Sequence, residues 1–230
     1  MGNVIIGIVG RPNKNKDGIN TIDVFEKMRK AVIKNGGTPI ALLPVQDVEY
    51  DDVIPKDILE LTDTEKEQLK SMINLCDGII MPGANKLYQY DFYIYGYAYE
   101  KNIPILGICG GMQLMGIYDN NGSSLTEINS KINHSNSLEK YAHDVSVDMS
   151  SPLYSIFGKS SFAVNSNHRY MMNKVNELKV AARSNDGVIE SVYAPKKKFV
   201  LGVQWHPEKM IEYDARQNKI FKAFIDAAKK

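Results

Sequence analysis

The most constraining feature of this sequence is an unbroken apolar run at residues 4–9 (VIIGIV), which is followed by Gly10, Arg11 and Pro12. A run without polar alternation predicts a strand that is covered on both faces in a parallel sheet. Apolar residues then recur at helical spacing over 25–32, and another strand pattern follows at 39–43. The glycine pair between them predicts the end of the helix. The chain therefore begins as strand, helix, strand.

The same alternation continues through the first half of the chain. Thr62 and Glu65 predict a capping box at the start of a helix whose buried face reaches Cys76. Strand patterns at 78–81 and 103–108 flank a tyrosine-rich helix at 88–101. Shorter alternating runs then predict further strands, some of them antiparallel, before a closing helix at 221–228: 144–148, 161–164, 178–183, 188–193 and 199–204. We predict an α/β fold in one domain spanning residues 1–230.

Composition excludes several classes of function. The 28 Lys and Arg nearly balance the 27 Asp and Glu, so no strong field favours nucleic acid or an anionic membrane. Two cysteines in different surroundings predict no disulfide framework, which favours the reducing cytoplasm. The first apolar run is too short for a signal core or a membrane span. We expect the acidic segment 46–60 to form a solvated surface loop.

A candidate nucleophile lies at the end of the strand predicted at 103–108. The sequence runs from this strand through Gly107, Cys109, Gly110 and Gly111 into a helix pattern, as in a nucleophile elbow with Cys in place of Ser. The glycines allow a tight turn that lifts the sulfur of Cys109 out of the sheet. The N–H groups at the helix start favour a thiolate there.

A candidate base lies at the end of a later strand, in the stretch LGVQWHPE. Pro207 favours an extended backbone before it, and residues two apart in an extended chain project to the same side. We therefore expect Glu208 to contact one nitrogen of His206 while the other nitrogen faces Cys109. This arrangement activates a thiol and supplies a proton to the leaving amine.

Together these motifs resemble the class I glutamine amidotransferase superfamily, and the wider pattern resembles its γ-glutamyl-γ-aminobutyrate hydrolase branch, peptidase family C26. The resemblance covers most of the chain and lies in ordered motifs: GIVGRP, GGTPIALLP, CDGIIMPG, GICGGMQ, NGSSL, HDVSV, NSNH, NDGVIESV and VLGVQWHPE. It implies a flavodoxin-like, three-layer fold with a mostly parallel central sheet and added antiparallel strands in the second half.

The resemblance also implies a set of site residues. The catalytic triad would be Cys109, His206 and Glu208, and backbone N–H groups of Gly83 and Gly110 would form the oxyanion hole. The residues that would line the substrate pocket are Ala84, Gln113, Ser166 and His168. Three departures from the branch concern this pocket: Gly110 stands where Arg is common, Arg169 and Tyr170 follow NSNH where His-Gln is usual, and only 25 residues separate Gly83 from Cys109.

The implied reaction is hydrolysis of a small γ-glutamyl amide through a γ-glutamyl thioester, without a cofactor. Two alternatives stay open, a glutaminase subunit that supplies ammonia to a separate synthetase partner and a regulatory homologue. The sequence also leaves a homodimer open. The histidines and cysteines show no metal-ligand spacing, so no metal is expected, and His143 is expected to make a structural hydrogen bond.

Overall fold

The computed structural model describes residues 3–48, 50, 60–122 and 124–229. Within these residues the strands are β1 Val4–Val9, β2 Arg11–Lys14, β3 Asn20–Asp23, β4 Gly37–Leu42, β5 Gly78–Met81, β6 Ile105–Ile108, β7 Leu125–Glu127, β8 Ser135–Asn136, β9 His143–Val147, β10 Ser161–Val164, β11 Ser166–Asn167, β12 Tyr170–Met172, β13 Lys179–Ser184, β14 Ile189–Tyr193 and β15 Val200–Val203. The helices are α1 Glu26–Lys34, α2 Asp63–Ile73, α3 Gln89–Glu100, α4 Gly110–Asp119, α5 Pro152–Phe157, α6 Pro207–Met210 and α7 Asn218–Ala228, with a 3₁₀ turn at Ala215–Gln217.

A nine-stranded sheet, ordered β10-β9-β13-β14-β15-β6-β5-β1-β4, forms the central layer. The strands from β4 to β15 pair in parallel, whereas β14, β13, β9 and β10 continue the sheet with antiparallel pairs. Helices α1, α5 and α7 pack on one face and helices α2, α3 and α4 on the other. The predicted three-layer α/β fold with added antiparallel strands is confirmed.

Most of the predicted elements lie within one or two residues of the observed ones. Val4–Val9 is a central strand, and Thr62 and Glu65 form the predicted capping box. One expectation is wrong: α2 ends at Ile73, so Cys76 lies after the helix, although it is buried as expected. The acidic segment 46–60 falls largely outside the described residues.

The topology brings the candidate site residues to one edge of the sheet. Strands β5, β6 and β15 are neighbours and run in parallel, so their carboxyl ends lie side by side. A ligand crevice of an open α/β sheet lies at such an edge. In the described part of the chain, no helix combines the length and apolar character that crossing a bilayer requires.

Candidate active site

Cys109 occupies a sharp turn between β6 and α4. Its backbone has φ 52° and ψ −109°, in the positive-φ region that non-glycine residues rarely adopt. Such strain persists only where the surrounding structure holds it, and it is often found at functional sites. The residue is also the N-cap of α4, so its thiol lies beside the first-turn N–H groups, which have no acceptor within the helix. The predicted elbow is therefore present.

Two glycines allow β5 and α4 to approach closely behind the elbow. A Cβ on Gly111 would lie 2.0 Å from the carbonyl oxygen of Met81, and a Cβ on Gly110 would lie 2.6 Å from the backbone nitrogen of Ala84. Both contacts are with backbone, so no side chain fits at either position without moving a strand or a loop. The N–H of Gly110 and the loop at Gly83 thereby come together beside Cys109.

His206 and Glu208 form the second half of the site. Nδ1 of His206 lies 2.7 Å from Oε1 of Glu208, and both side chains are buried. The expected contact is present, but its cause is not the predicted one: Pro207 starts the short helix α6 instead of continuing an extended chain. The first helical turn brings the carboxylate back to the imidazole.

The environment of His206 favours its protonated form. Burial alone lowers the pKa of the imidazole, but the negative charge of Glu208, the hydrogen bond to it and the adjacent thiol of Cys109 outweigh burial and raise the pKa to about 10. The imidazole edge also lies beside Gly83, where a Cβ would be 3.2 Å from Cε1 of His206 and 3.5 Å from Cβ of Cys109. Imidazole and carboxylate are therefore hydrogen-bonded to each other, and the elbow of Cys109 lies beside them.

Asn165 fixes the backbone of His206, a role that sequence reasoning missed. Its amide nitrogen donates to the carbonyl oxygen of His206 at 3.0 Å, and the N–H of His206 donates to its amide oxygen at 2.8 Å. The buried amide thus satisfies both backbone groups at the point where β15 gives way to α6. Asn165 begins the NSNH motif, and that motif was the available signal.

A buried ion pair supports the loop opposite Cys109. Arg11 contacts the carboxylate of Asp91, and its other terminal nitrogen donates to the carbonyl oxygen of Pro82 at 3.0 Å. Asp91 also accepts the N–H of Tyr88 at 2.9 Å. The pair therefore connects β2, the start of α3 and the loop that contains Gly83.

Two adjoining cavities open beside these groups. One, of about 390 Å³, is lined by Cys109, Gly83, Ala84 and His206. The other, of about 420 Å³, lies across His206 and is lined by Ser166 and by the loop before β9. Asn167 borders both, and its carbonyl oxygen lies 4.0 Å from Sγ of Cys109. Each cavity is large enough for an amino-acid-sized substrate.

Comparison with known proteins agrees with this geometry. The sequence pattern of the peptidase C26 family matches residues 88–208, just over half of the chain. The chain belongs to the peptidase C26 family. The gamma-glutamyl-gamma-aminobutyrate hydrolase PuuD of Escherichia coli K12 is 31% identical over 258 residues, which cover 99% of this chain and 94% of that protein. A glutamine amidotransferase-like protein of Rickettsia prowazekii is 30% identical, with 86% of each chain covered.

Solved structures of other proteins share the fold. A GMP synthase component from Thermoplasma acidophilum superposes with a TM-score of 0.67 at 19% identity, covering 99% of this chain and 95% of that one. The glutaminase domain of Trypanosoma brucei CTPS, solved with bound acivicin, gives a TM-score of 0.66 at 18% identity and covers 98% and 94% of the two chains. The flavodoxin-like fold and the resemblance to the C26 branch are therefore confirmed.

The residues expected to line the pocket separate into two groups. Ala84 and Ser166 line the cavities described above. Gln113 and His168 do not: the amide of Gln113 donates to the carbonyl oxygen of Tyr170 at 2.9 Å, and His168 points into a buried cluster behind the cavity wall. Motif matching identifies positions, but it does not determine toward which side of a short strand a side chain points.

That buried cluster, which we call the His3Glu cluster, consists of His134, His143, His168 and Glu190. It brings together three of the chain's four histidines from separate segments. No sequence signal indicated it, since the spacing of residues along the chain does not show which side chains the fold brings together. His143 makes the expected structural contact, with Nδ1 3.3 Å from the carbonyl oxygen of Asp144.

The geometry of His206 and Glu208 leads to a first prediction. Glu208→Gln should reduce kcat/KM strongly, but about 10–100-fold less than His206→Ala does. The reason is that the carboxylate is expected to orient the imidazole and to stabilise its positive charge, and not to accept the proton itself. Steady-state kinetics of both variants, with circular dichroism as a check on folding, would measure the difference. Equal losses would give the carboxylate a direct chemical role, and an unchanged Glu208→Gln variant would remove it from the site.

Proposed function

We propose that this protein is a cysteine-dependent hydrolase that cleaves the γ-glutamyl amide bond of a small γ-glutamyl amine. The observation that carries the proposal is the buried, hydrogen-bonded pair of His206 and Glu208 beside the elbow of Cys109, at the carboxyl edge of the parallel strands. Membership of the peptidase C26 family and similarity over 99% of the chain to a gamma-glutamyl-gamma-aminobutyrate hydrolase support it.

The first half of the reaction forms a thioester. The sulfur of Cys109 attacks the γ-carbonyl carbon, and His206 holds the proton that the thiol gives up. The tetrahedral intermediate collapses as the C–N bond breaks, and His206 gives this proton to the departing amine. The glutamyl group then remains on sulfur, and the neutral amine leaves.

Water completes the second half. His206 takes a proton from a water molecule as the oxygen attacks the thioester carbon, and the C–S bond breaks. The thiolate leaves with the electron pair, and protonated His206 pairs with it again. Glutamate is released and the enzyme returns to its starting state, with one water consumed for each amide cleaved.

The proposed oxyanion hole consists of the backbone N–H groups of Gly110 and Gly83. The close backbone approach at Gly110 and Ala84 supports this assignment, since it places both loops on the same side of Cys109. Donors fixed in this way stabilise the developing negative charge without having to reorganise. Arg11 supports them indirectly because it holds the carbonyl oxygen of Pro82.

The cavity walls suit a small zwitterion. Lys86, Lys209 and Asp23 line the cavity at Cys109, so groups of both signs border the space for the α-carboxylate and α-ammonium groups of a glutamyl donor. The short segment between Gly83 and Cys109 places little protein over the amine side. We therefore expect several amines to be accepted.

The second candidate is a glutaminase component that works with a separate synthetase partner. It is favoured by the structural similarity to a GMP synthase component and to a CTPS glutaminase domain. The two candidates differ in one property. A hydrolase needs no second protein and releases an organic amine, whereas a glutaminase component hydrolyses glutamine for its partner.

The proposal predicts that the isolated chain releases glutamate from γ-glutamyl derivatives of small amines at a steady rate. The assay follows free glutamate and free amine together, and the two should appear in equal amounts. A Cys109→Ala sample prepared in parallel controls for contaminating hydrolases. Absence of turnover until a synthetase is added would support the glutaminase candidate instead.

A further inference from the structure

The His3Glu cluster lies outside the proposed catalytic group and has the composition of a metal site. Its side chains are almost completely buried, and one donor atom of each lies within 4.8 Å of the others. The ligands come from four segments: the loop before β8, the start of β9, the residue after β11 and strand β14. Burial of three imidazoles around one carboxylate needs a specific reason.

The outer nitrogens of the three rings already have acceptors. Nε2 of His134 lies 3.0 Å from a carboxylate oxygen of Asp186. Nδ1 of His168 lies 3.0 Å from the carbonyl oxygen two residues further on, and Nδ1 of His143 lies 3.3 Å from that of the next residue. In the tautomer that a metal-bound imidazole requires, each outer nitrogen donates the ring hydrogen to its acceptor. Outer partners of this kind, a carboxylate or a carbonyl, orient metal-bound histidines.

In that tautomer the inner atoms are acceptors that face one another. Nδ1 of His134 lies 3.3 Å from Nε2 of His168 and 3.3 Å from Oε1 of Glu190. Nε2 of His143 and of His168 each lie 3.5 Å from the same oxygen. Neither carboxylate oxygen of Glu190, nor Nε2 of His143, has a hydrogen-bond partner among the described residues. A cation at the centre would bind Oε1 of Glu190, Nε2 of His143 and the two facing nitrogens of His134 and His168 at once.

We propose that His134, His143, His168 and Glu190 bind one divalent cation of the zinc class. Zinc bonds of about 2.0–2.2 Å in a tetrahedron place the ligand atoms roughly 3.3–3.6 Å apart. Four of the six inner distances match this range, and the other two pairs lie within 4.8 Å. Three imidazoles and a carboxylate suit zinc better than calcium or magnesium, which prefer oxygen ligands. Four protein ligands in a buried site leave no open position, so the metal is structural.

The metal would hold one wall of the catalytic cavity. The hydroxyl of Ser166 and the N–H of His168 both donate to the carbonyl oxygen of His134, at 2.7 and 2.9 Å. Asn167, between them, borders Cys109. Metal binding at this cluster would therefore hold strand β11 in place from the side opposite the cavity. The thiol of Cys109 is not one of the metal ligands.

Metal content and spectroscopy test the proposal independently of activity. The full chain, purified without chelator, should contain about one zinc per chain by plasma mass spectrometry. After removal of zinc and addition of Co²⁺, it should show the intense visible absorption of tetrahedral cobalt. Glu190→Gln should lose this spectrum, and Asp186→Asn should weaken Co²⁺ affinity by roughly 10–100-fold, as expected for an outer partner.

Cys109→Ala is the matched control, because Cys109 and His206 are the other pair of residues that could bind the added metal ion. This variant should lack hydrolase activity yet keep the metal and the spectrum, so failure of the proposed function and failure of the metal site are distinguishable. The proposal is wrong if the parent chain holds no metal and gives no tetrahedral cobalt spectrum. It is equally wrong if Cys109→Ala loses the metal while Glu190→Gln retains it.

Discussion

Replacing Cys109 with alanine is expected to reduce kcat/KM for γ-glutamyl amides by a factor on the order of 10⁵ or more. Without the sulfur no thioester forms, and what remains is the contribution of binding and of the oxyanion donors. The fold should persist, since alanine fits the space and the turn is held by the backbone contacts at Gly110 and Gly111. Kinetics, combined with thermal unfolding of the same preparation, would measure both effects.

Cys76→Ala is the control for this variant. Cys76 is also buried, but burial, aided by the charge of Asp77, raises the pKa of its thiol to about 11, so it is a poor nucleophile near neutral pH. We expect Cys76→Ala to retain activity and iodoacetamide to inactivate the parent by labelling Cys109. Near-normal turnover by Cys109→Ala would overturn the covalent mechanism.

Asp91→Asn is expected to have the largest effect on stability. The substitution leaves the guanidinium of Arg11 buried without its counter-charge, and breaking a buried pair in this way costs about 3–5 kcal/mol. Activity should fall as well, because Arg11 holds Pro82 next to the proposed oxyanion hole. Urea unfolding would give the free energy of unfolding, and kinetics under native conditions would give the second effect.

Asp226→Asn is the control for Asp91→Asn, because it removes one carboxylate charge at the surface instead of in the core. Asp226 pairs with Lys222 on α7 and with Lys229 just after it, and all three side chains are more than two-fifths exposed. Exposed pairs of this kind contribute about 0.3–0.5 kcal/mol, so the variant should be close to the parent. A loss below about 1 kcal/mol for Asp91→Asn would show that the buried pair is not the support that its position indicates.

The central elements of the fold could be predicted from sequence because the signals there are local and strong. The apolar run of β1 cannot be exposed on either face, and the capping box of α2 satisfies its own backbone. The short pairs β2–β3, β7–β12 and β8–β11 were missed. Segments of two to four residues are too short to show a period, and their pairing depends on tertiary contacts.

The candidate site divides in the same way. The elbow of Cys109 was predictable because its glycines are a local backbone signal. The contact of His206 with Glu208 was expected for a wrong reason, since Pro207 starts a helix and does not extend the chain. Asn165 and Glu190 were missed because their partners are distant in sequence. A buried asparagine or glutamate reveals its role only when the fold supplies the other half of the interaction.

The two candidate functions are distinguished by one ratio, kcat/KM for γ-glutamyl amines over kcat/KM for glutamine, measured on the isolated chain. The substrates are γ-glutamyl derivatives of several small amines, with glutamine as the unsubstituted amide. A hydrolase of the proposed kind should give higher kcat/KM for several of the γ-glutamyl amines than for glutamine, with no second protein present. A value highest for glutamine, or activity that appears only when a synthetase is added, would contradict the hydrolase function and assign the chain to the glutaminases.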